Sequence, residues 1–193
     1  TKPLLPLIAV PTTAGTGSEV QSYALISDET THVKMACGDP SAMPVAAFLD
    51  ARLTTTLPRE QTAYTGLDAV VHAVESAVCT ARTDASYSLS CEAFPLLVRN
   101  LPRVLEDPED RAARAAMLRG AMLAGRAIEL SMLGGAHASA NPLTARFDIP
   151  HGRAVGLMLP HVIRFNRVDP GTQARYAELA GLVGAEELDR CIE

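Results

Sequence analysis

The segment "GLDAVVHAVESAV" (66–78) carries two side-chain stripes at helical spacing. Leu67, Val70, Val71, Val74 and Val78 make an apolar one. Asp68, His72 and Glu75 fall at i, i+4 and i+7 and make a second, polar stripe on a helix that otherwise reads as interior. A carboxylate and an imidazole one turn apart in an interior need partners. Any fold this chain adopts must therefore bring other polar groups to that helix or leave the stripe in water.

The chain has 193 residues, enough to bury a real core in one large domain or two small ones. Apolar residues make up 48% and charged residues 20%, as in ordinary globular proteins. A net charge of −5 with no Lys/Arg run argues against nucleic acid or an anionic membrane as partner. No apolar run approaches bilayer length, and the opening "TKPLLPLIAVP" has no basic segment leading a long apolar one, so no signal peptide is expected. Cys37, Cys79, Cys91 and Cys191 contain no CxxC pair and read as reduced core thiols of a cytoplasmic protein. Trp is absent, aromatics are only 4%, and Ala is abundant, which suits helices packed closely on small side chains.

The pattern changes near Leu57-Pro58. Before it, short β-type runs alternate with turns: "LLPLIAV" (4–10), then "VQSYALIS" (20–27) and "HVKMAC" (32–37) flanking "DETT" as a hairpin, then "PVAAFLD" (44–50). After it the signals are helical. A helix opens at Pro58 with Glu60 in its first turn. A second runs through "TDASYSLSCEAFPLLVRNLPRVLED", where Pro95 and Pro102 are expected to kink or break it. A third covers "PEDRAARAAMLRGAMLAGRAIELSM" and ends at Gly134-Gly135; "HGRAVGLMLPHVIRFN" and "GTQARYAELAGLV" follow. A strand so soon after Thr1 and a helix-like "AEELDRCIE" at the other end suggest the middle of a longer protein.

Five histidines are present. His32 and His161 belong to no spaced set and read as ordinary residues. Asp68 and His72 leave the same helix face, which by itself is often a simple i,i+4 contact. His137 and His151 each follow a helix-breaking residue or pair, where a defined backbone turn can aim a side chain. Together the four make an N₃O set that suits Fe²⁺ or Zn²⁺ and is poor for Ca²⁺ or Mg²⁺. Spacing leaves open whether the three segments meet. "IAVPTTAGTGSEV" (8–20) runs from an apolar strand into a turn of small and hydroxyl residues. Its glycines allow backbone N–H groups close to a phosphate or ribose, but it lacks both the GK[ST] ending and the GxGxxG spacing, and a plain Gly-rich turn is an equal reading.

"PTTAGTGSEV", Lys34, "LDARLTTTLP", "TGLDAVVHAVE", "GGAHASANPL" and "IPHGRAVGLMLPHVIRFN", in this order, resemble the iron-containing (group III) alcohol dehydrogenase family, which shares its fold with dehydroquinate synthase and glycerol dehydrogenase. The resemblance spans about Leu4 to Asn166. It implies residues 1–57 as the C-terminal part of an α/β dinucleotide-binding domain and 58–193 as an all-helical metal-binding domain. The fold class is then dehydroquinate synthase-like, incomplete at both ends. It implies Asp68, His72, His137 and His151 as ligands of a catalytic Fe²⁺ or Zn²⁺. Thr12, Thr13, Gly15, Thr16 and Ser18 resemble the turn that holds NAD or NADP, with Lys34 a further cofactor contact and Leu25 an apolar neighbour of the nicotinamide. Glu75 reads as a hydrogen-bond partner of a ligand. The implied activity is hydride transfer between the nicotinamide and a small alcohol or carbonyl, in a full-length protein that is a homodimer. Two places depart from the family pattern: Asn141 stands where many members carry a histidine given a proton-relay role, and Val155 where an asparagine is usual. A lyase of the dehydroquinate synthase type is the alternative within this fold; it should add Lys and Arg near the metal, where Arg146 and Arg153 stand. A metal-dependent phosphohydrolase, or a silent helical module with relic ligands, are the alternatives outside it.

Overall fold

The computed structural model describes residues 4–29 and 34–192; His32 lies outside them. Helix α1 (Arg59–Val78) starts just after Pro58 with Glu60 in its first turn, where a carboxylate meets the positive end of the helix dipole. Every residue from Asp68 to Ala77 is buried. The polar stripe is therefore as enclosed as the apolar one. Around α1 pack α2 (Asp84–Glu106), α3 (Arg111–Glu129), α4 (Gly135–Phe147), α5 (His151–Asn166) and α6 (Pro170–Val183), with the short α7 (Leu188–Ile192) against α5 and α6. Val71, Val74, Phe94, Leu97, Val155, Leu159 and Ile163 fill the core. Ala69, Ala73, Ala77, Ala93, Ala113 and Ala124 are wholly buried, so the helices do approach on small side chains, as the composition predicts.

Local chemistry fixes the helix ends. Thr83 and Ser86 close a reciprocal cap at the start of α2. Asp110 takes the Ala113 N–H at 2.9 Å and Asp169 the Thr172 N–H at 2.7 Å. The start of α4 has no side-chain cap from its own N-cap residue, Gly134. The expected break does not occur here. Pro95 and Pro102 lie inside a continuous α2. Each proline costs the helix a hydrogen bond, roughly 3 kcal/mol in an exposed helix, but α2 is held between α1 and α3 by Phe94, Leu97, Leu101 and Val104, all buried. Tertiary packing outweighs the local preference.

The strand region is small. β1 (Ile8–Ala9) pairs in parallel with β4 (Ala46–Ala47), Ile8 opposite Ala46. β2 (Tyr23–Ser27) and β3 (Lys34–Gly38) form the expected antiparallel hairpin, Leu25 opposite Ala36. The apolar faces of the strands are uncovered among the described residues: Leu4, Leu5, Leu7, Ile8, Val45 and Phe48 are exposed. The cysteines are free, but only Cys79 is buried, and Cys37 on β3 is exposed rather than a core thiol, because its strand has one partner and no layer over it. Among the described residues no helix is long and apolar enough to cross a membrane.

The glycine of the "PHG" segment has a steric reason. A Cβ on Gly152 would sit 2.0 Å from the carbonyl oxygen of Tyr64 on α1, so only glycine lets the start of α5 lie against α1. Gly181 in α6 has nothing within 4 Å of a built Cβ. Gly152→Ala should lower unfolding free energy by ~1–3 kcal/mol through overpacking, and Gly181→Ala should raise it by ~0.5–1 kcal/mol through helix propensity. Urea denaturation of the two variants checks both signs.

Candidate metal centre

Three imidazoles point at one carboxylate oxygen. Asp68 and His72 sit a turn apart on α1, His137 in the first turn of α4, and His151 at the first position of α5. The Nε2 atoms of His72 and His137 are each 3.3 Å from Asp68 Oδ1 and that of His151 is 3.8 Å away. The His72 and His137 rings stack with centroids 5.0 Å apart, and the His137 and His151 rings tilt at 5.3 Å. Asp68, His72 and His137 are buried, whereas the His151 side chain is 29% exposed and marks the open side.

This arrangement fits a divalent cation. One donor atom from each of Asp68, His72 and His137 lies within 4.8 Å of the others. Ligands at ~2.1 Å around a tetrahedral ion are separated by ~3.4 Å, close to the distances to Asp68 Oδ1. That oxygen and His137 Nε2 are buried without a hydrogen-bond partner, a state that costs roughly 1–3 kcal/mol per group when nothing compensates it. Among the described residues, the ion-pair partners of Asp68 and Glu75 are imidazoles. With neutral histidines the two buried carboxylates sum to the charge a dication balances.

Glu75 is the residue whose role the sequence names only in outline. Its side chain is enclosed and accepts from the Gly134 N–H at 3.1 Å, the Ala136 N–H at 2.6 Å and His137 Nδ1 at 2.6 Å. It thus caps α4 from a distant helix and holds the His137 ring. A Cβ on Gly134 would come within 2.9 Å of Glu75 Oε1.

The electrostatics follow from these contacts. Burial pushes the Asp68 carboxyl up, but the three imidazoles outweigh it and hold it at about 2. Burial pushes His137 down, and Asp68 and Glu75 more than reverse this, raising it to about 9. His72 is lowered, mainly by burial. Glu75, raised by burial, ends below the usual carboxylate range because His137 and the Ala136 and Gly134 N–H groups stabilise its anion.

The hydroxyl-rich turn lies beside this centre. Gly15 packs on α1, where a Cβ would meet Thr65 Cβ at 2.5 Å. Its carbonyl favours a protonated His72 without reaching hydrogen-bond geometry. Gly17 has φ +64° and touches Gly125 of α3, a Cβ there meeting Gly125 Cα at 2.5 Å. Both glycines thus sit in close contact with helices. Thr12, Thr16 and Ser18 are exposed and Thr13 half-buried; the Thr16 and Ser18 hydroxyls lie 2.9 Å apart. Glu129, at the end of α3, accepts from the backbone and hydroxyl of Ser22 at 3.0 and 2.8 Å and ties the turn to the helices. No sequence signal marks Glu129. Leu25 is exposed on β2. Lys34 opens β3, with its side chain outside the description. Asn141 is exposed on α4 one turn after His137, and Arg146, Arg153 and His161 are exposed. Val155 is wholly buried in the core.

The chain belongs to the iron-containing alcohol dehydrogenase family. The pattern described as "Fe-containing alcohol dehydrogenase family, C-terminal" matches residues 62–192, and "Iron-containing alcohol dehydrogenase" matches residues 1–51. The chain is 40% identical over 186 residues to alcohol dehydrogenase 4 of Schizosaccharomyces pombe, covering 96% of this chain and 44% of that protein. Sulfoacetaldehyde reductase from Bifidobacterium kashiwanohense, solved in complex with NAD+, superposes with a TM-score of 0.91 at 32% identity, over 97% of this chain and 50% of that one. An alcohol dehydrogenase from Oenococcus oeni gives 0.90 at 36% identity, over 100% and 51%. The chain thus spans about half the length of these relatives.

A raised His137 stays protonated below about 9 when no ion is present, and that proton competes with a cation. Affinity for Zn²⁺ should therefore rise with pH up to about 9, with proton release near neutral pH. Titration calorimetry in buffers of different ionisation enthalpy measures the protons released.

Proposed function

We propose that this chain forms the metal-holding part of an NAD(P)-linked alcohol dehydrogenase that also reduces small aldehydes or ketones. The observation that carries the reading is the convergence of His72, His137 and His151 on Asp68 Oδ1, on the flank where Gly15 packs against α1. In this reading Asp68, His72, His137 and His151 hold Fe²⁺ or Zn²⁺. A divalent ion there supplies Lewis-acid polarisation to an alcohol or carbonyl oxygen, and the nicotinamide carries the hydride. Residues 1–57 are the last part of an α/β dinucleotide-binding domain and 58–193 the helical metal domain.

The chain's own residues prepare that chemistry. Asp68 remains ionised across the neutral range, so it offers its charge without taking up a proton. Thr12, Thr13, Gly15, Thr16 and Ser18, with Leu25 and Lys34, hold NAD or NADP beside α1. Asn141 can donate and accept a hydrogen bond but cannot carry a proton near neutral pH, so proton exchange at this place passes to water or to substrate hydroxyls. The NAD+ complex of the similar sulfoacetaldehyde reductase supports the cofactor assignment. Free cysteines suit a reducing cytoplasm, and the full-length protein is read as a homodimer.

The full-length protein should consume NADH or NADPH with small aldehydes, followed by loss of reduced-cofactor absorbance. His151→Ala should abolish tight metal retention and nearly all turnover; a full equivalent of metal in that variant by elemental analysis would refute the ligand set. Asn141→His should change the pH–rate profile, and an unchanged profile would show that the proton does not pass through this position.

A further inference from the structure

We infer that Glu129 is a positioning residue that aims the β2–β3 hairpin, and the cofactor contacts it carries, at the metal centre. The inference rests on the cofactor reading above and goes beyond it, because Glu129 touches neither cofactor nor metal in that reading. Both of its carboxylate oxygens are committed to one residue: Oε2 accepts from the Ser22 N–H at 3.0 Å and Oε1 from the Ser22 hydroxyl at 2.8 Å. Ser22 is buried. It is also the base of the hairpin, since its carbonyl accepts from the Asp39 N–H at 3.2 Å. One carboxylate on α3 thus grips the point where the two strands come together. Bonds to a charged acceptor are roughly twice as strong as neutral ones.

Above that base the ribbon is open. Tyr23, Ala24, Leu25 and Ile26 on β2 and Met35, Ala36 and Cys37 on β3 are exposed, so both faces lack a covering layer among the described residues. The ribbon therefore takes its direction from its base. Leu25 lies about 10 Å along the strand from Ser22, so a small tilt at the base displaces it, and Lys34 on the partner strand moves with it. Gly125, which seats Gly17 of the hydroxyl-rich turn, lies one turn before Glu129 on the same face of α3. From Glu129 a short link, 130–134, leads into α4 and His137. The same helix end carries the ribbon on one side and the chain that brings in a metal donor on the other.

The test uses the full-length, metal-loaded protein titrated with NADH and NADPH by fluorescence. Glu129→Ala should melt cooperatively, keep its full equivalent of metal and bind the reduced cofactor about 10-fold more weakly. Reduced cofactor carrying deuterium at the transferred position should give a larger isotope effect on kcat than in wild type, because a misaimed nicotinamide slows hydride transfer itself. A role in folding alone would not move that ratio. Glu129→Ala combined with Ser22→Ala should bind no more weakly than Glu129→Ala alone, since both remove the same contact. A folded, metal-loaded Glu129→Ala with wild-type cofactor affinity or a wild-type isotope effect overturns the inference, as does full additivity of the two substitutions. If Glu129→Ala does not fold, Ser22→Ala decides: about 2- to 10-fold weaker cofactor binding with metal retained is expected, and unchanged binding overturns the inference. A wild-type protein that holds metal but binds neither NADH nor NADPH overturns the cofactor reading itself, a failure distinct from the others.

Discussion

A single carboxylate oxygen inside a buried helix organises this molecule. Asp68 is almost wholly enclosed, and an isolated charge in that position would be severely destabilising. The fold answers by bringing three imidazoles from three helices to it. That requires α4 and α5 to start close against α1. The close approach is met by the smallest residues: Gly152 under Tyr64, Gly134 beside Glu75, and the buried alanines along α1. The geometry of the centre is thus a product of helix packing, with no flexible loop carrying a donor among the described residues.

The second enclosed carboxylate links folding to the site. Glu75 stabilises the otherwise uncapped start of α4 and the His137 ring at once. Capping of helix termini and placement of a donor are usually separate tasks. Here one side chain serves both, so perturbing the helix start and perturbing the donor are the same event.

Most of the helices were legible in the sequence because apolar periodicity and the start signals Pro58 and Glu60 act locally, whereas α4 was not read as a helix. The polar stripe of α1 announced Asp68, His72 and Glu75 as a set. What spacing could not reveal was convergence, since His137 and His151 reach α1 only through tertiary packing. The family resemblance supplied that step, and the geometry accords with it. Pro95 and Pro102 do not break α2, because propensity counts a lost hydrogen bond and not the burial of Phe94 and Leu97 beside it. Glycine in a turn signals close approach, and a helix residue approaches each of these two, Thr65 at Gly15 and Gly125 at Gly17. Glu129 gave no signal, because its partner Ser22 is 107 positions away in the chain.

The meeting of Gly17 with Gly125 has a consequence for how such a protein can change over time. Main chain rests on main chain there, and neither position has a smaller residue to retreat to. A side chain gained on one partner cannot be accommodated by trimming the other, so paired compensation, the ordinary route by which interiors drift, is closed at this spot. The seat of the hydroxyl-rich turn on α3 is consequently set by backbone sterics and cannot be tuned in small steps.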